Sequence, residues 1–398
     1  MVSRCCIVLV LLGAAACADT QDFASGAGPR SDNPSAEPPQ DSGVAIRSCD
    51  TARDADNCGA CGHRCLGGTC LSGVCQPIEL ARDQTPVALA VTGDDVYFLA
   101  LAAAGSNNGD AIRRVPVRGG EPSTVTTVPG SARGSLILRG GFLYAAYQDR
   151  PSNLAVIGRL PVGGDTFARV VTGSPLGCRP AELTVTSTAV VFTCDIDMPG
   201  LFACPLTGCE AAPRTLDPSL LMWRSSWHGL VDVGDAVLAA ADGLAGLRRI
   251  PLDGSARGAC DVEMTQPADQ GSALAYDGKS VFVARPGELV QLAPVCGAGR
   301  STVLVKSSRL ERPILALNAD DVLWGEQMLY DGSILRCPKT GCAVPEVLAT
   351  GQGFVMDVVA TNDAVYWVTT PRIGSSPVPG TVMKLALPPH PSASQPLP

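Results

Sequence analysis

Apolar and polar residues alternate along most of the chain in a unit that recurs seven times. Each unit holds a short apolar stretch, a turn containing Gly or Asp, and a second apolar stretch, as in residues 87–99. The alternation predicts β-strands and the turns predict hairpins. The residue after the turn recurs every 41 to 48 positions, at Val96, Phe142, Val190, Val237, Val281, Val322 and Val365.

A second marker has the same period. A proline ends a later apolar stretch in six of the seven units, at Pro116, Pro161, Pro205, Pro251, Pro294 and Pro338. Two hairpins in about 45 residues are typical of one β-propeller blade, with four antiparallel strands that we call A to D. The sequence therefore predicts an all-β fold, a seven-bladed β-propeller over residues 76–387. The alternative is a ring of six or eight blades, which would require that one repeat has been miscounted.

The two ends of the repeat array complement each other. The seventh unit lacks a D strand, because residues 388–398 are rich in proline and are predicted to be a disordered tail. Residues 76–80 resemble the D strands of other units, such as residues 302–306. We expect this N-terminal strand to complete the seventh blade and remove the exposed sheet edges.

The N-terminus carries an export pattern. Arg4 precedes an apolar run over residues 5–16, which is too short to span a bilayer and fits a signal peptide. Small residues directly before Cys17 resemble a bacterial lipobox, which implies cleavage after Ala16 and lipidation of Cys17. Cleavage by an ordinary signal peptidase and a retained buried helix are the alternatives. Residues 17–48 would then be the lipidated cysteine and a disordered tether that spans roughly 30 Å.

The 17 cysteines divide by position. Two lie in the signal peptide, Cys17 is the predicted lipid site, and the two remaining sets are even, as expected for disulfides in an oxidising compartment. The predicted disulfide cysteines are Cys49, Cys58, Cys61, Cys65, Cys70, Cys75, Cys178, Cys194, Cys204, Cys209, Cys260, Cys296, Cys337 and Cys342.

Residues 49–75 form a separate Cys-rich module. With six cysteines in so few residues, the module cannot bury a sizeable core and needs cross-links or a metal. Three disulfides fit an exported chain best, and sequence leaves their 15 possible pairings open. The alternatives are a zinc site that includes His63 and a redox pair of Cys58 with Cys61.

Short phrases resemble a bacterial family. Residues 56–65 (DNCGACGHRC) and the two CPxxGC phrases at Cys204 and Cys337 resemble secreted or outer-membrane lipoproteins of myxobacterial type, in which a Cys-rich module precedes a propeller. The resemblance implies the same fold and a surface role, and it implies no chemistry. The recurrence of the CPxxGC phrase in blades 3 and 6 predicts a disulfide across each C–D hairpin, while Cys260 and Cys296 could bridge neighbouring blades.

Composition narrows the function. The apolar fraction of 46% supports a core, and the formal charge of −8 argues against nucleic-acid binding. The chain has three His and lacks a nucleophile elbow or a phosphate-binding Gly-rich loop. We therefore expect no metal and no cofactor.

Irregular loops predict where a ligand binds. The B–C and D–A loops share one face of a propeller, and residues 219–228 on that face contain Trp223, Arg224, Trp227 and His228. These side chains suit stacking on, and hydrogen bonding to, a sugar or a peptide. In the alternative, one Trp fills a blade core beside a hydrogen-bonded His228. The same face also holds Arg150, Arg179, Asp195, Asp197, Glu326 and Arg372.

These features together predict a surface-anchored extracytoplasmic lipoprotein. It would be a monomer in the cell envelope, held at the outer membrane or cell surface by its lipid, and would bind or scaffold a protein or glycan through one propeller face. The alternatives are a hydrolase or lyase of glycans or small molecules and an outer-membrane assembly accessory. Without lipidation the protein would be secreted or periplasmic.

Overall fold

The repeated pattern becomes β-sheet throughout the described residues. The computed structural model describes residues 49–102, 109–149, 152, 154–171, 178–196, 200–209, 213–217, 227–241, 247–255, 259–262, 272–297, 301–307, 310, 313–326, 331–370 and 380–389. Within these ranges there are thirty strands and no helix, and hence no helical membrane span. The predicted signal peptide and tether lie outside them.

The first three strands precede blade 1 along the chain. The Cys-rich module contributes a hairpin of β1 (Cys70–Leu71) and β2 (Val74–Cys75), and β3 (Ile78–Gln84) follows it. Blades 1 to 3 comprise β4 (Pro86–Val91), β5 (Asp95–Ala100), β6 (Ala111–Pro116) and β7 (Ser123–Thr127); β8 (Gly130–Arg139), β9 (Phe142–Asp149), β10 (Ala155–Pro161) and β11 (Ala168–Val171); and β12 (Cys178–Val185), β13 (Ala189–Ile196), β14 (Gly200–Pro205) and β15 (Arg214–Thr215).

The remaining blades repeat the order A to D. They comprise β16 (Trp227–Asp232), β17 (Ala236–Ala241), β18 (Leu247–Pro251) and β19 (Cys260–Val262); β20 (Ala273–Tyr276), β21 (Val281–Arg285), β22 (Glu288–Leu292) and β23 (Thr302–Lys306); β24 (Pro313–Leu317), β25 (Asp321–Glu326), β26 (Ile334–Pro338) and β27 (Glu346–Ala349); and β28 (Phe354–Ala360), β29 (Ala364–Thr370) and β30 (Gly380–Ala386). Each A strand contacts the A strands of both neighbouring blades, and β28 contacts β4. The prediction of a seven-bladed propeller is confirmed.

The seventh blade is completed by β3. Its strand order is β28-β29-β30-β3, and β3 runs antiparallel to β30 with Ile78 opposite Lys384 and Gln84 opposite Gly380. A Cβ at position 380 would lie 2.4 Å from the Gln84 carbonyl oxygen, so only glycine permits this close approach. The predicted closure of the ring by an N-terminal strand is confirmed.

The B strands supply the large side chains of the core. Six of the seven blades place a fully buried aromatic residue there, namely Tyr97 and Phe98, Tyr147, Phe192, Phe282, Trp324 and Trp367. Blade 4 instead has the small residues of β17 around Leu238. Burying each large apolar side chain contributes roughly 2–3 kcal/mol. A low aromatic content is therefore sufficient, because one or two rings fill the space between sheets in six of the seven blades.

Seven disulfides connect fourteen described cysteines. Within the module they join Cys49 to Cys61, Cys58 to Cys70, and Cys65 to Cys75; within the ring they join Cys178 to Cys194, Cys204 to Cys209, Cys260 to Cys296, and Cys337 to Cys342. The interpretation of residues 49–75 as a disulfide-rich module is confirmed. Cys58, Cys61 and Cys65 belong to three different disulfides, so the structure has neither a Cys58–Cys61 pair nor thiolates for zinc.

Blades 7 and 1 meet at a partly buried carboxyl group. Asp357 lies on β28, and its Oδ2 accepts a hydrogen bond from Leu89 N on β4 at 2.9 Å. Its Oδ1 accepts from Val358 N at 2.8 Å. Burial raises the pKa of Asp357 to about 7, although these two backbone hydrogen bonds oppose the rise. The contact between first and last blade therefore contains a group that titrates near neutrality.

The Asp357 carboxyl makes the stability of the ring depend on pH. Its pKa is higher in the folded protein than the ~3.9 of an unfolded chain, so its contribution is full below about pH 4 and is lost as pH rises to about 7. The free energy of unfolding of the native protein, relative to Asp357→Asn, should fall by about 1.4 kcal/mol per pH unit across that window. Urea titrations from pH 4 to 8 measure it, with the exposed Asp165→Asn as control. Parallel pH profiles for native protein and Asp357→Asn would contradict the assignment.

Candidate functional site

The propeller has two faces of different character. The B–C and D–A loops form one face, here called the loop face, and the A–B and C–D turns form the other, here called the turn face. Trp223 and Arg224 lie outside the described residues, whereas Trp227 and His228 begin β16 without described side chains. The predicted aromatic site on the loop face therefore stays a prediction.

The other charged residues predicted for this face divide in the same way. Arg150, Asp197 and Arg372 lie outside the described residues. Arg179 on β12 is directly opposite Asp195 on β13, so the strand register brings these two positions together. Glu326 ends β25 and is 3% exposed.

Buried charged residues end several B strands at the loop face. Asp149 ends β9 in blade 2 and Arg285 ends β21 in blade 5, as Glu326 does in blade 6. All three are less than a tenth exposed. Asp149 and Arg285 were not predicted from the sequence; Arg285 directly follows the apolar residues 281–284, and Gln148 separates Asp149 from the apolar residues 142–147. The structure thus adds a set of fixed charges around the loops.

Asp149 is held by the loop that follows it. Its carboxylate accepts hydrogen bonds from Ser152 Oγ at 2.6 Å and from Arg169 Nη2 at 3.3 Å. The hydrogen bond from the Ser152 hydroxyl lowers the pKa of Asp149, against the opposing effect of burial. Asp149 is therefore a charged acceptor at neutral pH rather than a proton donor.

Further ion pairs fix neighbouring loops. Arg248 Nε lies 2.7 Å from Asp217 Oδ2, and Arg248 Nη1 lies 3.1 Å from Asp261 Oδ1. Burial lowers the pKa of Arg248, but the two carboxylates outweigh it and the net shift is upward. Arg285 pairs with Glu288 across a tight B–C turn through Nε at 2.9 Å. These pairs hold the ends of strands, so the loop face has a rigid, charged frame.

A buried carboxylate also joins two blades at this face. Asp110, 6% exposed, accepts hydrogen bonds from Ala102 N at 2.8 Å and from Ala132 N at 2.7 Å. Ala102 belongs to the B–C segment of blade 1 and Ala132 to β8 of blade 2. Asp110 thus fixes the start of one loop to the adjacent inner strand.

Several polar residues of the turn face accept hydrogen bonds within their own turns. Asp277 Oδ1 accepts hydrogen bonds from Lys279 N and Ser280 N at 3.0 Å and 2.8 Å. Asn318 Oδ1 accepts from Asp320 N and Asp321 N in the same way. Asp and Asn favour turns through such bonds. Turn chemistry accounts for these side chains without a metal ligand role.

The Cys-rich module docks on the turn face, at the place where blade 7 would otherwise have its C–D turn. Cys58, Cys65 and Cys75 pack in one apolar cluster with Ala386 and Leu387 at the end of β30. Sulfur atoms of these three cysteines lie within 4.8 Å of one another, but each belongs to a disulfide. Their proximity reflects two packed disulfides rather than a metal centre.

Two side chains join the module to the ring. His63 Nε2 lies 3.1 Å from the Leu387 carbonyl oxygen, while its Nδ1 lies 2.5 Å from the Cys58 carbonyl oxygen. Lys384, 4% exposed, donates from Nζ to the carbonyl oxygens of Leu66 and Val117, each at 2.9 Å. Burial lowers the pKa of Lys384. This one ammonium group connects the module, blade 7 and blade 1.

An open cleft lies beside this junction. It has a volume of about 700 Å³. Its walls come from the module, from the A–B turns of blades 6 and 7, and from the segment after β30. The charged and histidine residues in these walls are His63, Arg64, Asp320, Asp321, Arg336 and Asp363. The module therefore meets the ring through a few specific hydrogen bonds next to polar surface.

Comparison with known proteins shows the fold. No protein-family model matches the sequence, and no curated protein matches it. Among solved structures, the surface component PorZ of the Porphyromonas gingivalis type-IX secretion system aligns with a TM-score of 0.50 and 13% identity, over 73% of this chain and 36% of that one. The chain thus spans about a third of PorZ.

Two further solved structures give the same result. A puromycin-hydrolyzing peptidase of Mycobacterium tuberculosis aligns with a TM-score of 0.53 and 15% identity, over 73% of this chain and 50% of that one. The WD40 β-propeller domain of Doa1 aligns with a TM-score of 0.53 and 11% identity, over 77% of this chain and 96% of that one. At these identities the likeness shows a shared propeller fold and no shared activity.

Lys384 should be essential for the docking of the module. Lys384→Met removes both hydrogen bonds and leaves the carbonyl oxygens of Leu66 and Val117 without this donor, which should cost about 2–4 kcal/mol in the free energy of unfolding. The exposed Lys306→Met, on β23, should change it by less than about 0.5 kcal/mol. Urea unfolding monitored by circular dichroism compares the two. Equal small effects would contradict the proposed junction.

Proposed function

We propose that this chain is a surface-anchored extracytoplasmic lipoprotein whose propeller binds or scaffolds a partner through its loop face. The observation that carries the proposal is the position of the module. Cys49, which follows the predicted tether, belongs to the module, and the module docks on the turn face through His63 and Lys384. The predicted tether is therefore joined to the module and not to a B–C or D–A loop.

The disulfides support an extracytoplasmic location. Seven disulfides within one chain fit an oxidising compartment, since thiols are kept reduced in the cytosol. The order of elements, a Cys-rich module before a propeller, supports the resemblance to lipoproteins of myxobacterial type. PorZ, with the same fold class, is described as a bacterial surface component of a secretion system. This supports a surface role for a propeller of this size.

The described charges favour binding over proton transfer. Asp149 has a lowered pKa, and the carboxylates of Asp110 and Asp217 accept hydrogen bonds from protein donors. Such groups keep strand ends in place under loops that differ between blades. A rigid frame with variable loops is a common design of binding proteins. We propose Trp223, Arg224, Trp227 and His228 as ligand contacts for a protein or a glycan.

Lipidation of Cys17 is directly testable. Mass spectrometry of the mature protein from its native envelope should find an N-terminal Cys17 with an added diacylglyceryl mass. Cys17→Ser should abolish this mass and release the protein from the membrane fraction. A mature chain that starts at another residue, or that carries an unmodified Cys17, would refute the anchor.

The loop face is tested by a matched pair of variants. Trp223→Ala/Trp227→Ala in the full chain should reduce capture of partners from solubilised envelope, or binding on a glycan array, by about 100-fold, because aromatic contacts dominate binding energies. Lys279→Ala, in an exposed turn of the turn face, should leave binding unchanged. If both variants bind as the native chain does, the aromatic loop is not the site.

A further inference from the structure

The module hairpin of β1 and β2 presents an apolar tip to solvent. Leu71 and Val74 lie opposite each other on the two strands and are 64% and 58% exposed. Ser72 and Gly73 connect them with φ angles of 51° and 80°. Positive φ at both positions is typical of a tight two-residue hairpin turn. The turn therefore brings two large apolar side chains together on one side of the hairpin.

Disulfides prevent this tip from folding inward. Side chains alternate across a strand, so Cys70 and Cys75 point to the opposite side from Leu71 and Val74. Cys70 is bonded to Cys58, and Cys75 is bonded to Cys65. The turn is also held at Gly73, whose N–H donates to the Ala52 carbonyl oxygen at 3.0 Å. The apolar pair is thus fixed in an exposed position.

The hairpin itself and the residues next to it in sequence carry no charge. Residues 66–78 contain no Asp, Glu, Lys, Arg or His, whereas charged residues make up 17% of the chain. An uncharged apolar tip can enter the interfacial region of a bilayer without the cost of desolvating a charge on the hairpin itself. The exposed Val344 and Val347 differ in this respect, because Glu346 lies between them.

We propose that the hairpin tip of Leu71 and Val74 is a second contact with the lipid bilayer. This inference rests on the lipid anchor of the proposed function. The module begins at Cys49, 31 residues after the tether starts at residue 18, and such a coil spans roughly 30 Å. Tethering at that range gives an effective concentration near millimolar, so a weak apolar contact is sufficient. The bilayer would thus contact the tip of the module rather than the turns of the ring.

Tryptophan quenching tests the contact in the full lipidated chain. Leu71→Trp and the control Val344→Trp are each placed in phosphatidylcholine–phosphatidylglycerol vesicles that contain doxyl-labelled lipid. The extra emission of Leu71→Trp, relative to the native chain, should be blue-shifted and quenched about twofold or more, because its ring enters the interface. The extra emission of Val344→Trp should stay unquenched. Equal quenching of the two would overturn the proposal.

Co-sedimentation with vesicles distinguishes failure of the tip contact from failure of the lipid anchor. If the lipidated chain sediments with vesicles but Leu71→Trp is not quenched, the tip contact fails and the anchor stands. If the chain does not sediment, the anchor fails and the tip contact fails with it. Near-ultraviolet circular dichroism checks that both variants are folded.

A second pair of variants measures the strength of the contact. Leu71→Ser/Val74→Ser should raise the rate at which the lipidated chain leaves vesicles by about tenfold, since two apolar side chains are lost from the interface. Val344→Ser/Val347→Ser removes similar side chains elsewhere and should leave that rate unchanged. An unchanged rate for the tip variant, with reduced capture of an envelope protein instead, would show a protein contact and overturn the proposal.

Discussion

The pairing of β3 with β30 is the interaction on which the rest of the structure depends. A propeller is a closed ring, and this is the one place where its two chain ends must find each other. If β3 did not pair, β30 would be an exposed edge and the seventh blade would have three strands. The pair runs from Ile78 opposite Lys384 to Gln84 opposite Gly380. Gly380 permits the two strands to approach closely, and Lys384 hydrogen-bonds from β30 to the Leu66 carbonyl oxygen of the module.

The module makes this closure less costly. Its disulfides order residues 49–75 next to β3, so the N-terminal strand is presented from a cross-linked base rather than from a free chain end. Cross-links of this kind reduce the conformational entropy that closure must overcome. His63 and Lys384 then attach the base to the end of β30 and to blade 1. Ring closure and docking of the module are consequently one connected interaction.

The fold could be predicted from the sequence because the same strand pattern is repeated in every blade. The strand pattern occurs seven times, and the last copy lacks its D strand. Together these two features predict a ring that is closed by residues near Ile78. Pairing within the module was not predictable, because six cysteines can pair in many ways and nothing local distinguishes them. Lys384 and Asp357 were missed because their roles depend on which strands become neighbours. Lys384 is an ordinary residue of a C strand until the Leu66 carbonyl lies beside it.

Prediction from the sequence was limited in the same way at the loop face, where the roles of charged residues depend on their partners in the folded chain. Asp149 and Arg285 end B strands, and their burial follows from the partners that later segments supply, such as Ser152 and Glu288. The repeats determine the strands, while these partners come from the segment that follows each B strand, namely Ser152 in a loop and Glu288 at the start of β22. Charges fixed by local partners keep strand ends in place whatever the loop above them contains. Binding specificity can therefore change through loop residues such as Trp223 and Trp227 without disturbing the ring that carries them.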